Sequence, residues 1–77
     1  MMPQFVVRND RPAPIDVVIE PWAGVETLPP RTEILFDYDE PADVSITAEG
    51  NGDLFVCISG KRIRWIANGD EKTFGAP

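Results

Sequence analysis

The densest group of side chains that could do chemistry is a run of carboxylates in the middle of the chain, formed by Asp37, Asp39, Glu40 and Asp43. Oxygen ligands at alternating positions are the kind that Ca²⁺ binds. An EF-hand loop also needs an acidic or amide group at its fifth position, where this run has Pro41. We therefore interpret the run as a charged, solvated turn and expect no metal or other cofactor there.

Other catalytic chemistry has few residues to use. The chain has no histidine, one cysteine (Cys57) and two serines (Ser45 and Ser59), which removes histidine-based catalysis, histidine or multi-cysteine zinc sites and an internal disulfide framework. Glycoside hydrolysis needs two carboxylates about 5–10 Å apart across a sugar-sized cleft, and 77 residues leave little room for one. We predict that the protein is not an enzyme. Cys57 alternates with Val56 and Ile58, which favours a small buried side chain over a reactive thiol.

Three aromatic residues, Trp22, Tyr38 and Trp65, could together form a stacking platform for a carbohydrate, because their rings offer flat apolar area with a polar handle. Trp65 lies in phase with Ile63, which indicates a core position. Trp22 follows Pro21 at a predicted strand end and is the best exposed candidate. A small-ligand or carbohydrate-binding module is therefore one alternative function, and core or rim aromatics are the plainer interpretation.

Charge is distributed unevenly along the sequence. The chain has 7 basic and 13 acidic residues and a net charge of −6, which disfavours a phosphate backbone or an anionic membrane as partner. Residues 16–53 have a net charge of −9, and residues 54–77 have a net charge of +2. Lys61, Arg62 and Arg64 cluster around one predicted hairpin. This hairpin would fit an acidic partner, and the acidic half would fit a basic one, including a second copy; the plainer interpretation is a solubilising surface that guards an edge strand.

The elements that must position these residues follow a period of two, the alternation of apolar and polar residues typical of strands. Proline, glycine, asparagine and aspartate separate the runs, and no long segment has helical periodicity. Asn68-Gly69 predicts a tight hairpin turn, since both central positions of a type I′ turn need positive φ. The stretch 23–31, which contains Leu28-Pro29-Pro30, predicts a stiff loop that crosses between sheets. The predicted strands are Gln4–Arg8, Ile15–Trp22, Thr32–Tyr38, Val44–Ala48, Leu54–Ser59, Arg62–Ala67 and Lys72–Phe74.

Six to seven short strands in so small a chain predict a single all-β domain over residues 1–77. A flat sheet would leave one apolar face in water, so we expect a small antiparallel β-sandwich or a partly open barrel. The predicted core consists of Phe5, Val7, Ile15, Val17, Ile19, Ile34, Phe36, Val44, Ile46, Leu54, Val56, Ile58, Ile63 and Trp65.

The first 35 residues or so carry a pattern made of an asparagine turn, a short β run ending in Glu20-Pro21-Trp22, and Leu28-Pro29-Pro30. This pattern resembles one found in small uncharacterised bacterial β proteins, which have Pro-Gly where this chain has Pro30-Arg31. The resemblance implies a compact β domain and carries no activity with it. Read physically, Glu20-Pro21-Trp22 ends a strand, and Trp22 caps one end of the sandwich.

These observations favour a non-enzymatic β-sandwich module that acts by protein contact, as an accessory or assembly subunit. Its contact surface would be an exposed strand edge, the hairpin of Lys61–Arg64, or the acidic face. A second alternative is an acidic phage-borne inhibitor that mimics nucleic acid by presenting carboxylates where phosphates would sit. We expect a protein partner or self-association, with no direct contact to nucleic acid or membrane. A cytoplasmic location is expected because neither a secretory signal nor a disulfide framework is present.

Overall fold

Residues 3–75 form eight β-strands, so the all-β prediction is confirmed, with one strand more than the upper number expected. The structure is a computed structural model, and it describes residues 3–75. Within this range there is no helix long and apolar enough to span a membrane. The strands are β1 (Gln4–Arg8), β2 (Ile15–Glu20), β3 (Gly24–Leu28), β4 (Glu33–Tyr38), β5 (Asp43–Ala48), β6 (Leu54–Ser59), β7 (Arg62–Ala67) and β8 (Asp70–Gly75).

The strands form two four-stranded sheets that pack as an open sandwich. The front sheet has the order β1-β4-β7-β8 and the back sheet has the order β3-β2-β6-β5. Neighbours are antiparallel except β2 and β6, which are parallel. Three connections are hairpins within one sheet, and the other four cross from one sheet to the other. The sandwich is not closed into a barrel, so β1, β8, β3 and β5 are edge strands.

The core lies between the two sheets and is built from every second residue of the strands. Two residues predicted in the core, Val44 and Ile46, are instead 38% and 50% exposed, because they lie on edge strand β5, where the opposite sheet does not cover them. Phe5 and Leu54 are partly buried and pack against the core. The buried apolar residues are Val7, Ile15, Val17, Ile19, Leu28, Ile34, Phe36, Val56, Ile58, Ile63, Trp65 and Ala67.

The prediction that residues 23–31 form a loop was wrong, since Gly24–Leu28 is a strand that pairs with β2. The alternation was hidden because Glu26 occupies an inward position. Its carboxylate accepts hydrogen bonds from the Trp65 indole N–H at 2.7 Å and from Lys72 Nζ at 2.8 Å. These two donors offset the cost of burying a carboxylate. The crossing between sheets is shorter than predicted and follows Leu28.

The arginine hairpin predicted at Lys61–Arg64 is also wrong. β6 belongs to the back sheet and β7 to the front sheet, so Gly60-Lys61 crosses between sheets. β7 lies between β4 and β8, and no open edge adjoins Arg62 and Arg64. The hairpin predicted at Asn68-Gly69 is confirmed: it joins β7 to β8 with positive φ at both residues, 54° and 82°.

The turn between β3 and β4 gives a stability prediction. Arg31 has φ 60°, a left-handed conformation that costs a non-glycine residue about 1 kcal/mol or more. We expect Arg31→Gly to raise the free energy of unfolding by about 0.5 kcal/mol after the entropy of glycine is subtracted, measured by urea denaturation. Arg11 is the control, since it is exposed but does not have positive φ. Arg11→Gly should therefore lower the free energy of unfolding, because glycine loses more entropy on folding and relieves no strain there. Equal losses in both variants would contradict the prediction.

Candidate functional site

The loops fall at two ends of the sandwich, and most of the predicted site residues lie at one of them. The strand registers place three connections together, 21–23, 39–42 and 60–61; we call this the Trp22 end. The opposite end, which we call the Asn9 end, holds residues 9–14, 29–32, 49–53 and 68–69.

The acidic and basic segments that are separate in the sequence pair with each other in the fold. Arg64 Nε lies 2.9 Å from Asp37 Oδ2, and Arg64 Nη1 lies 3.2 Å from Glu71 Oε1. Arg62 Nε lies 3.5 Å from Asp39 Oδ2. The hydrogen bond to Asp37, followed by charge attraction, raises the pKa of Arg64 above its ordinary value. Asp37 and Asp39 therefore present much less net charge to a partner than the sequence implies.

Asp37 is the residue whose surroundings differ most from a solvated turn. It points away from the core, yet it is only 2% exposed. One carboxylate oxygen binds Arg64, and the other, Oδ1, is buried without a hydrogen-bond partner among the described residues. A shallow pocket of about 240 Å³ adjoins it, lined by Asp37, Arg62, Arg64 and Thr73. Arg62 and Arg64 are engaged with carboxylates, so the polar groups that this pocket offers a ligand include Asp37 Oδ1, an acceptor, and the Thr73 hydroxyl, which can donate and accept.

Glu40, Asp43 and Lys61 are exposed at the Trp22 end. The loops 39–42 and 60–61 pack closely against each other. A Cβ added at Gly60 would lie only 2.9 Å from the Cβ of Ala42. None of the three charged residues makes an ion pair within residues 3–75. No group of three or more carboxylate, cysteine or histidine side chains in that range is arranged to hold a metal ion.

The aromatic residues proposed as a stacking platform are used in packing. Trp22 is partly buried, packs against the core and donates its indole N–H to the carbonyl of Ile58 at 2.9 Å. Tyr38 meets Phe5 edge to face, with ring centroids 6.2 Å apart. Trp65 is buried in the core, as its phase with Ile63 predicts. Trp22 thus packs at one end of the sandwich with its polar N–H already bonded within the fold.

Cys57 points outward from the back sheet and is half-buried as a free thiol, with its Sγ 3.7 Å from Ser59 Oγ. Its position opposite Ser45 in the register makes it part of the outer surface of the sheet. No positively charged side chain comes from any of the four strands of this sheet, so nothing there favours a reactive thiolate.

The sequence analysis predicted a strand at Val44–Ala48 but placed Val44 and Ile46 in the core, so it missed the exposure of β5. All six residues of β5 are exposed, and within residues 3–75 one side of its backbone has no neighbouring strand. β5 shares this full exposure with β8, an edge strand of the front sheet, which carries Lys72. Edge strands usually carry lysine, proline or a bulge that discourages further pairing, and β5 has none of these between Val44 and Ala48. The sequence does show that this segment has no lysine and no proline. That fact indicates an exposed edge only when the strand order is known.

The two sheets also differ in charge. The strands of the front sheet contain four basic and four acidic residues, whereas those of the back sheet contain four acidic residues and no basic one. The outer face of the back sheet includes the exposed side chains of Val25 and Phe55, both cross-strand neighbours of Val18. Charge asymmetry is thus a property of the layers rather than of the two halves of the sequence.

No protein-family model matches the chain, and no curated protein or solved structure is significantly similar to it. The resemblance to small bacterial β proteins that the Glu20-Pro21-Trp22 pattern indicates stays a prediction.

Proposed function

We propose that this protein is a small non-enzymatic interaction module whose contact element is edge strand β5. The observation that carries the proposal is a fully exposed six-residue edge with two β-branched apolar side chains, Val44 and Ile46, and no protecting lysine or proline within the strand. The partner is a protein, because the net charge of −6 opposes nucleic acid and anionic membranes.

An open edge supplies both affinity and specificity. The unpaired N–H and C=O groups of β5 can hydrogen-bond to an extended segment, and alternate side chains then meet those of the added strand. Val44 and Ile46 are 38% and 50% exposed, so covering both would contribute about 2 kcal/mol at the usual value per unit of apolar area. The same edge left uncovered is an aggregation hazard, which is a physical reason for a partner to occupy it.

The two alternatives from the sequence have less support. A nucleic-acid mimic would use the carboxylates of residues 37–43, of which Asp37 and Asp39 already pair with arginines. A carbohydrate site would use Trp22, whose ring packs on the core and whose N–H is bonded to a backbone carbonyl. Each interpretation would need groups that the fold already uses, although Glu40 and Asp43 remain exposed.

Site-specific photo-crosslinking in the producing cell tests the proposal. Ile46→p-benzoylphenylalanine places the crosslinker on β5, and Val6→p-benzoylphenylalanine places it on β1, an edge of the front sheet. The two positions are matched at 50% and 51% exposure. We expect a discrete protein adduct from position 46 and none from position 6, because only β5 is the proposed contact element. Equal labelling, or no protein adduct from position 46 in folded protein, would overturn the proposal.

A further inference from the structure

We infer that β5 accepts a basic, extended segment of another protein, which adds to the back sheet as a fifth strand; this inference rests on the proposed function. The occupant is defined by backbone geometry, by the pattern of side chains along β5 and by the charge around it.

The backbone of β5 determines the shape of the occupant. β5 pairs with β6 along its whole length, from Asp43 opposite Ser59 to Ala48 opposite Leu54. Its other side therefore presents a regular row of unpaired groups over six residues, about 20 Å of extended chain at about 3.3 Å per residue. Regularly spaced unpaired groups of this kind match another extended chain better than they match a helix or a compact ligand.

The side chains of β5 determine the pattern of the occupant. Val44 and Ile46 point toward the core side of the back sheet, as do their register partners Ile58 and Val56. Ser45 and Thr47 point outward. In a paired strand, directly opposite residues lie on the same face, so the added segment needs apolar residues on the core side and polar residues on the outer side.

The charge of the residues around β5 determines which charge the occupant should carry. Asp43 begins β5, and Glu40 and Glu49 lie just beyond its two ends. All three are exposed, and none is neutralised by an ion pair within residues 3–75. The four strands of the back sheet contribute no lysine or arginine. The nearby basic residues are Lys61 at the Trp22 end and Arg11, whose guanidinium lies beside Gly52 in the 49–53 turn. Together with Asp53, the three acidic residues outnumber them, so lysine or arginine on the outer face or at the ends of the added strand would meet net negative charge.

A second copy of the chain fits the apolar pattern but not the charge. An antiparallel pair centred on Ser45 would place Val44 of one copy opposite Ile46 of the other. The same register would bring Asp43 of each copy near Glu49 of the other, between chains that each carry a net charge of −6. Asp43 would lie opposite Thr47, with Glu49 as its diagonal neighbour on the same face. Like charges at that distance repel, so a basic segment from a different protein is favoured.

Two capped synthetic peptides test the inference with the full-length protein. One alternates lysine and valine, and the other alternates glutamate and valine; both are fluorescently labelled and titrated while anisotropy is measured. We expect the lysine peptide to bind at least about tenfold more tightly, a difference of about 1.4 kcal/mol. Ile46→Lys should weaken its binding by at least about tenfold, whereas the matched control Val6→Lys, which adds the same charge elsewhere, should weaken it by less than about twofold. Circular dichroism confirms that both variants fold.

The outcomes separate this inference from the proposed function. Equal binding of both peptides, or equal effects of Ile46→Lys and Val6→Lys, would overturn the basic-strand inference. Binding of neither peptide would also overturn it: self-association abolished by Ile46→Lys would then identify a second copy as the occupant, and a specific adduct from position 46 would identify a partner of other chemistry. In both cases the proposed function survives. It fails if position 46 also gives no adduct.

Discussion

Replacing Asn9 with alanine is expected to lower the free energy of unfolding by about 3 kcal/mol. The Asn9 side chain is buried, and its amide Nδ2 donates to the carbonyls of Ala13 and Leu28, both at 2.9 Å. Its Oδ1 accepts the backbone N–H of Arg11 at 2.9 Å. Alanine removes all three bonds, and each buried group left without a partner costs about 1–3 kcal/mol. Urea denaturation followed by tryptophan fluorescence measures the change.

Asn51→Ala is the matched control, since Asn51 also bonds within its own turn but is exposed. Water replaces its lost bonds, so the loss should stay below about 1 kcal/mol. A chain of this length has a total stability of about 4–12 kcal/mol, which makes the effect at Asn9 easy to resolve. Similar losses in the two variants would contradict the role given to burial.

Asn9 acts where two connections between the sheets meet. Its side chain joins the β1–β2 loop to the end of β3. Its backbone N–H donates to Thr32 O at 2.9 Å, and its carbonyl accepts from Arg31 N at 2.7 Å. The alanine variant keeps the two backbone bonds, so it isolates the contribution of the side chain. The sequence placed Asn9 only in a turn, because the partner on β3 lies 19 residues away.

The strands that carry regular alternation could be predicted from the sequence, with β1, β6 and β7 at the bounds expected. β3 could not be predicted, because two of its inward positions hold Gly24 and Glu26 in place of apolar residues. Both face Trp65 of the other sheet: Gly24 leaves room for its ring, and Glu26 accepts its indole N–H. The exposure of Val44 and Ile46 could not be predicted either. Alternation specifies which face a side chain takes, but whether that face is covered depends on strand order.

The pairing of charges at the candidate site could not be predicted from the sequence either. The sequence separates an acidic segment from a basic one, and this separation indicated two docking surfaces. In the fold, β4 and β7 are neighbours, so Asp37 lies opposite Arg64 in the register and the charges pair. Glu26 of the back sheet pairs with Lys72, and the excess of negative charge is left on the rest of that sheet and around β5. This remainder, rather than the arginines, is what favours a basic partner.

Gly24→Ala is expected to destabilise the protein by about 2 kcal/mol, within the range measured for overpacked cores. A Cβ at Gly24 would lie 2.7 Å from both Cη2 and Cζ2 of Trp65. The indole cannot easily retreat, because it is buried, stacks on Phe74 with centroids 5.1 Å apart, and is bonded to Glu26. Alanine is otherwise the better residue within a strand by about 0.5–1 kcal/mol, so the steric effect reverses the ordinary sign. Thermal denaturation and urea titration both measure it.

A double-mutant cycle identifies the cause. Trp65→Phe removes the two ring atoms that Gly24→Ala would touch, so alanine at position 24 should cost about 1–2 kcal/mol less in that background than in the natural chain. Gly50→Ala has no neighbour within 4 Å and should leave stability within about 0.5 kcal/mol. Independent, additive effects of Gly24→Ala and Trp65→Phe would mean that the indole does not require the glycine. Coupling of the expected sign would show that a residue read from the sequence as part of a loop is a packing position between the two sheets.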